Sequence, residues 1–306
     1  MNVEAWVLIA IVAALAQTLR NTLAQTISSR ITATLNSWSR FTFCLPFAAI
    51  AAIAVSHRTG WPELPPVFFV LCLATALTQL LGNVALVTAF RSGGFGESIV
   101  FHKLEVLLTA IAGALWFGEW PSTLGTVGIV VCAAGVIAIN LVRDHPRGTR
   151  GLARAFRPSR AGRFALLCAV LLVAASFALK GANASVVESN DSFPLFAAAV
   201  QTLFHTTWIE VVLLTGWIAW REPESFRAVP RHWRRMALIG ATSFSASLGW
   251  FWAFSLTLVA YVKAVGQIEA LIAVALGIRL LGERELLRQL PGVLLVVVGI
   301  LFVLLG

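Results

Sequence analysis

Charge is scarce in this 306-residue chain: 12% of its residues are Asp, Glu, Lys or Arg, about half the share a water-soluble domain carries. That shortage excludes an ordinary soluble globule. Four cysteines in so long a sequence exclude a disulfide framework. Cys44, Cys72, Cys132 and Cys168 each stand alone in an apolar run, none in a Cys-x-x-Cys pair, and read as small core residues. Neither a His-Glu-x-x-His nor a Gly-x-Ser-x-Gly motif occurs, so the sequence offers no constellation for an intramembrane enzyme, and neither an enzymatic activity nor a cofactor is expected. The first four residues hold no Lys or Arg and the apolar run continues to Ile27. The opening segment therefore reads as a retained helix rather than a secretory signal.

Apolar residues fill the space that charge leaves. They make up 58% of the chain and mean hydropathy is +0.85, which also excludes a disordered chain. A spanning helix needs about 20 mostly apolar residues, and ten stretches qualify: 5–27, 37–56, 66–90, 96–117, 123–142, 164–187, 194–220, 236–254, 258–281 and 288–305. Thr59-Gly60-Trp61-Pro62 and Gly118-Glu119-Trp120-Pro121 punctuate the gaps, Gly after a helix and Pro near the start of the next. Pro46 falls within the second stretch, where a kink is expected.

Lys and Arg collect in alternate gaps. Arg30, Arg91, the run Arg143 to Arg163, the group Arg221, Arg227, Arg231, Arg234 and Arg235, and Arg279, Arg284 and Arg288 lie on one side, with Arg58 on the other. The positive-inside rule puts segments 143–163 and 221–235 in the cytoplasm and both termini outside. The formal net charge of +9 is thereby explained by anionic lipid headgroups at the bilayer surface, with no nucleic-acid partner.

The sequence also repeats. Shifted by 164 residues, Ala89-Phe90 falls on Ala253-Phe254, Glu105 on Glu269, Gly113 on Gly277, Gly118-Glu119 on Gly282-Glu283, Gly128 on Gly292 and Gly135 on Gly299. A weaker match at a shift of 160 sets Arg20 on Lys180 and Ala24 on Ala184. The expected organisation is a first five-helix repeat at 1–142, a basic linker at 143–163 and a second repeat at 164–306. An odd number of spans per repeat makes the copies inverted, with a site between them near the midplane. The fold class expected is thus an all-α membrane protein, ten transmembrane helices forming two inverted five-helix repeats around a central cavity.

The doubled pattern, Glu105 with Gly118-Glu119 and Glu269 with Gly282-Glu283, each followed by a Gly-spaced last helix, resembles the drug/metabolite transporter superfamily, specifically its ten-helix EamA-type members. Family members often carry Pro after the first Glu. Here Val106 and Ala270 follow, leaving no proline to break the helix. The resemblance implies a transporter, usually an exporter of small metabolites, whose first four helices in each half line the cavity while the fifth lies outside.

Ionised groups near the bilayer centre cost roughly 2.5–3.5 kcal/mol each, so every one needs a partner, a wet cavity or a function. Gln17, Arg20, Asn21, Ala24 and Ser28 form a polar or small stripe on the first helix, echoed by Ser176, Lys180 and Asn183 on the sixth. Two readings stay open: Arg20 and Lys180 line the cavity, or they reach to the headgroups. Gln79 and Asn83 share a face with Leu86 and Phe90, and Ser243, Ser247, Trp250 and Phe254 stand at the equivalent places of helix eight, a surface suited to a small amphipathic ligand. Gln201 and His205 lie one turn apart on helix seven. On helix four His102 and Glu105 share a face, with Lys103 about 160° from Glu105 if the helix is ideal. Lys263 and Gln267 stand opposite Glu269 on helix nine. Ideal geometry forces a choice between glutamates and amines as the cavity lining, and leaves Glu105 and Glu269 either proton carriers or fixed salt-bridge partners of Lys103 and Lys263. A lone His102/Glu105 pair is no metal site, and none is expected. Glu119 and Glu283, after Gly118 and Gly282, read as turn residues that favour the start of the next helix. The glycines Gly125, Gly128, Gly135, Gly292 and Gly299 suit close helix approach, with a homodimer contact through helices five and ten one use of them.

Arg20, Arg40, Lys103, Lys180 and Lys263 outnumber Glu105, Glu210 and Glu269 among the buried charges. That excess points to a secondary transporter, an exporter by alternating access, of a small carboxylate-bearing metabolite such as an amino acid. Trp250 and Phe254 favour an aromatic one, and the resembling superfamily includes aromatic amino acid exporters. The alternatives are a multidrug or cationic-metabolite exporter and a non-transporting scaffold or sensor. The expected location is the bacterial inner membrane.

Overall fold

The computed structural model describes residues 3–92, 98, 101–143, 159–272 and 289–306. The basic linker from 144 to 158, and with it Gly277, Arg279, Gly282, Glu283, Arg284 and Arg288, lies outside the described residues. The helices are α1 Val3–Ile27, α2 Ala33–Thr42, α3 Leu45–Thr59, α4 Pro66–Arg91, α5 Glu105–Trp116, α6 Thr123–Arg143, α7 Arg160–Glu188, α8 Leu195–Arg221, α9 Val229–Leu256, α10 Val259–Gly266 and α11 Leu290–Leu305. A 3₁₀ segment, Pro223–Ala228, leads into α9. Among the described residues six segments are long and apolar enough to cross a bilayer: Ala5–Ile27, Ala33–Thr59, Pro66–Arg91, Arg160–Glu188, Leu195–Arg221 and Pro223–Leu256.

Two expectations change. The second apolar stretch is not one kinked helix: α2 stops at Thr42 and α3 restarts at Leu45 with Pro46 in its first turn, where a missing N–H costs nothing. Segment 221–235 is not a loop either. Helix α9 begins at Val229, so Arg231, Arg234 and Arg235 occupy its first turns, all three exposed.

The chain divides into two compact units, one made of Met1–Val7, Thr78–Ser176 and Thr257–Gly306, the other of Leu8–Leu77 and Phe177–Leu256. Each unit draws on both halves of the sequence. In the first, α6 and α11 pack along glycine faces. A Cβ on Gly128 would stand 2.7 Å from Gly299 O, and one on Gly135 would stand 2.8 Å from Gly292 O. Since Gly128 matches Gly292 and Gly135 matches Gly299 in the repeat, the contact is self-complementary and the helices run antiparallel. The turn after α5 has Gly118 at φ +67, and Phe117 N and Glu119 N both donate to Gly113 O, at 3.1 and 2.9 Å, a closure of the helix end around a left-handed glycine. Glu119 also reaches across the sequence: its Oε2 accepts from Val259 N at 2.9 Å and caps α10, from the other half of the chain, while Ser122 Oγ accepts from Gly125 N at the start of α6.

In the second unit α8 is the inner helix, packed on α2, α3 and α9. Ile27, Leu35, Ile218, Met236 and Ile239 make one core cluster; Phe68, Cys72, Ala76, Ala182, Val186 and Ala198 belong to another. Trp38 Nε1 donates to Thr215 Oγ1 at 2.8 Å and joins α2 to α8. Gly240 is required where α9 meets the α2–α3 turn, because a Cβ there would overlap the Phe43 backbone.

Candidate functional site

The fourth and ninth apolar stretches are both interrupted without proline. Leu104 (φ −62, ψ −12) precedes α5, and Gln267 (φ −64, ψ −7) follows α10, ψ values closer to a 3₁₀ turn than to an α-helix. At the second break Gln267 N bonds Ala264 O at 3.1 Å, which releases the Lys263 carbonyl. The side chain of Gln267 recovers it, Nε2 donating to Lys263 O at 3.1 Å. The amide thus stabilises the interruption that a proline makes elsewhere.

Around these breaks the first unit builds a double ion pair. Lys103 Nζ lies 2.9 Å from Glu269 Oε1 and donates to Gln267 Oε1 at 3.2 Å. Lys263 Nζ pairs with Glu105 Oε1 and reaches Leu172 O on α7 at 3.4 Å. Side-chain exposure is 18% and 24% for the first pair, 8% and 19% for the second, low enough for the pairing to matter. Each lysine meets the glutamate of the other half of the chain. His102, half-buried, has its Nδ1 3.6 Å from Cys168 Sγ and both lysines and both glutamates within electrostatic reach. The choice that ideal geometry imposed is therefore overturned: amines and carboxylates of both segments join in one cluster, because the helices are not continuous between Lys103 and Glu105 or between Lys263 and Glu269. Gln79 and Asn83 lie half-buried on α4 in this unit.

The second unit gathers the other sequence candidates. Arg20 is 7% exposed, its Nε and Nη2 donating to Asn21 Oδ1 at 3.1 and 2.8 Å. One turn earlier Gln17 Oε1 accepts from Trp250 Nε1 at 3.1 Å. The Trp250 ring stacks on Phe254 with centroids 6.1 Å apart; Ser247 is half-buried one turn before it. Lys180 is half-buried on α7, while Asn183 is buried and ties α7 to α9, Nδ2 donating to Phe251 O at 2.9 Å and Ser255 Oγ at 2.6 Å. Gln201 Nε2 donates to Ser56 Oγ at 2.7 Å. His205 Nδ1 is 2.9 Å from Gln201 O, its ring enclosed edge-on by Phe68, Phe69 and Phe204. Gln201 and His205, with Ala52, Ile53, Trp61 and Phe204, line a cavity of about 190 Å³.

Sequence reasoning passed over three groups. Gln267 was visible only as a polar residue beside Lys263. Arg40 and Glu210 counted as buried charges without a role, although Glu210 stands in an apolar stretch with no Lys or Arg before Arg221. Thr206 and Thr202, one and two turns before Glu210, carry a helical spacing that could have singled them out. Among the described residues no group of three or more His, Cys, Asp or Glu side chains could hold a metal.

Comparison with known proteins adds the lineage. No curated protein matches the chain. Among solved structures 27 chains match. One, described only as "Crystal structure of protein", has a TM-score of 0.68 and 15% sequence identity over 99% of this chain and 98% of its own, a likeness in fold. The model of the EamA-like transporter family matches twice, at residues 4–141 and 163–305. Those two spans take in both repeats and nearly the whole sequence: the chain is an integral membrane protein of the EamA-like transporter family, within the drug/metabolite transporter superfamily.

Proposed function

We propose that this transporter exports a small carboxylate-bearing metabolite, an amino acid and by preference an aromatic one, across the bacterial inner membrane by alternating access. The observation carrying the substrate class is a buried guanidinium, Arg20, standing beside an aromatic surface on the same face of the second unit. Lys103 and Lys263 are taken up by Glu269 and Glu105. Within the apolar stretches of the sequence Arg20, Arg40, Lys103, Lys180 and Lys263 outnumber Glu105, Glu210 and Glu269, a positive balance that favours an anionic group. Buried Arg20 beside the Gln17–Trp250–Phe254 surface offers a guanidinium for a carboxylate and an aromatic wall for a side chain.

We take the topology to be ten spans in two inverted repeats, 1–142 and 164–306, with the basic segments cytoplasmic and both termini outside. The antiparallel, self-complementary Gly128–Gly299 and Gly135–Gly292 contacts and the exchanged lysine–glutamate pairs support this, for a two-fold relation between copies generates such reciprocal contacts. The double ion pair then acts as a latch between interrupted helices, to be broken and remade as the bundle changes access. Any homodimer would use the outer apolar faces of α6 and α11, since their glycine faces meet within the chain.

The test is uptake of a labelled amino acid panel into proteoliposomes, with Arg20→Ala and Glu105→Gln alongside. Flux of aromatic amino acids that falls at least tenfold in Arg20→Ala is expected. Absence of transport for every carboxylate tried, or competition by lipophilic cations instead, would defeat the proposal.

A further inference from the structure

One buried carboxylate is left outside the latch. Glu210 is 2% exposed on the inner helix α8, and its Oε1 has no hydrogen-bond partner among the described residues. Thr206 and Thr202 lie one and two turns before it on the same face, 1% and 0% exposed; Thr202 Oγ1 likewise lacks a partner, and Thr206 Oγ1 has only the Cys72 thiol of α4 beside it. That is unusual in this chain. Thr18, Thr22, Thr75, Thr88 and Thr109 each turn the hydroxyl back onto the carbonyl four residues earlier, as helical threonines do in apolar surroundings. Across from the row, Arg40 Nε is buried and unpartnered as well, with its guanidinium carbon 4.9 Å from the Phe41 ring centroid.

Successive members of the row are about 6 Å apart along the helix, a gap that one or two waters bridge with ordinary hydrogen bonds. Buried polar atoms do not stay unpaired when water can reach them. The upper end of the row adjoins the wall of the 190 Å³ cavity, because Gln201 and His205 precede Thr202 and Thr206 by one residue each. The lower end is the carboxylate. Charged and titratable groups facing the row are few: Arg40 on α2 acts on the carboxylate directly, Cys44 at the α2–α3 turn lies beside both and has Arg20 of α1 in reach, the Cys72 thiol of α4 meets Thr206, and His205 stands at the cavity end. Neither α3 from Leu45 to Ser56 nor α9 from Met236 to Leu256 carries an ionisable side chain.

We propose that Glu210 is the proton-binding site of the transport cycle, loaded from the cavity at Gln201 and His205 through a file of water held by Thr202 and Thr206. Hydronium at the end of the file gives its proton to the Glu210 carboxylate and leaves as water; Arg40 holds the ionised form when the proton departs. Glu105 and Glu269, each in contact with a lysine, then serve the latch. This inference rests on the transport reading above only for its role in coupling. Proton binding itself is measured without flux.

The experiment has two arms. Infrared difference spectra of the purified full-length protein across a pH titration should show the carbonyl stretch of a protonated carboxyl that disappears in Glu210→Gln and persists in Glu105→Gln. In proteoliposomes a pH gradient should drive labelled amino acid flux in wild type, with at least tenfold less in Glu210→Gln and in Thr206→Val, which keeps the side-chain shape. If Glu210→Gln is poorly folded, Glu210→Asp should shift the band rather than erase it. A band that survives Glu210→Gln, or no titrating band at all, overturns the proposal whether or not the right substrate has been found; a band that titrates as stated without flux indicts the substrate instead. Gradient-driven flux at wild-type level in either variant also overturns it.

Discussion

Lys103 and Glu105 sit two positions apart, and an ideal helix would point them to nearly opposite sides. In the folded protein each finds its partner more than 150 residues away, at Glu269 and Lys263. Removing one member of such a pair leaves an uncompensated charge in a low dielectric, whereas removing both is far milder. Lys103→Ala or Glu269→Ala should therefore destabilise the protein by about 2–3 kcal/mol, the exposure of roughly a fifth placing the loss at the lower end for buried pairs. The reciprocal exchange Lys103→Glu with Glu269→Lys should recover most of it, as read by thermal unfolding in detergent. If each single variant melts with wild type, the pair is ornamental. Gln267→Leu removes both the acceptor for Lys103 and the donor that satisfies the Lys263 carbonyl. A loss of about 1–3 kcal/mol is expected, together with slower transport, if the interruption matters to motion. That Lys103, Glu105, Lys263 and Glu269 were worth singling out was legible from their place inside apolar stretches. Their pairing was not, because spacing on an unbroken helix gave the wrong directions.

At the scale of elements, glycines divide into those that make contacts and those that merely occur. Gly299 and Gly128 stand where a Cβ would fall 2.7 Å or less from the facing backbone. Gly299→Ala must therefore push α11 off α6, at about 1–3 kcal/mol. Gly216, in the body of α8, has nothing within 4 Å of its would-be Cβ. Gly216→Ala should be neutral or stabilise by up to about 1 kcal/mol, the ordinary gain of alanine within a helix. Equal melting of the two variants would show that the close approach contributes nothing. The repeat disclosed these glycines; that they serve contact within the chain, and pair Gly128 with the counterpart of Gly135, followed only from the packing. The breaks at Leu104 and Gln267 illustrate the same limit. No proline announces them, and the amide that stabilises the second is one polar residue among several.

For the whole molecule, the sequence sets where the chain resides. Six described segments long enough to span, loop arginines concentrated in alternate gaps and a doubled family match all descend from composition and periodicity. The proposed orientation has a direct check. Cysteine introduced at Arg58 should react with an impermeant maleimide from the periplasmic side and cysteine at Arg227 from the cytoplasmic side. The four native thiols, all buried, should react only after unfolding. Labelling of both introduced sites from one side would overturn the assignment of termini and loops.

Residence in the bilayer, the two related halves and the list of costly intramembrane charges were settled by the sequence alone, because hydropathy, charge position and self-similarity are properties of residues taken in order. Which glutamate meets which lysine, where a helix yields, and that Glu210 with its two threonines stays outside the ion pairs were decided by the tertiary structure. Those outcomes depend on groups 158 to 166 residues apart competing for the same partners in a medium that offers no others, and no local pattern encodes the winner of that competition.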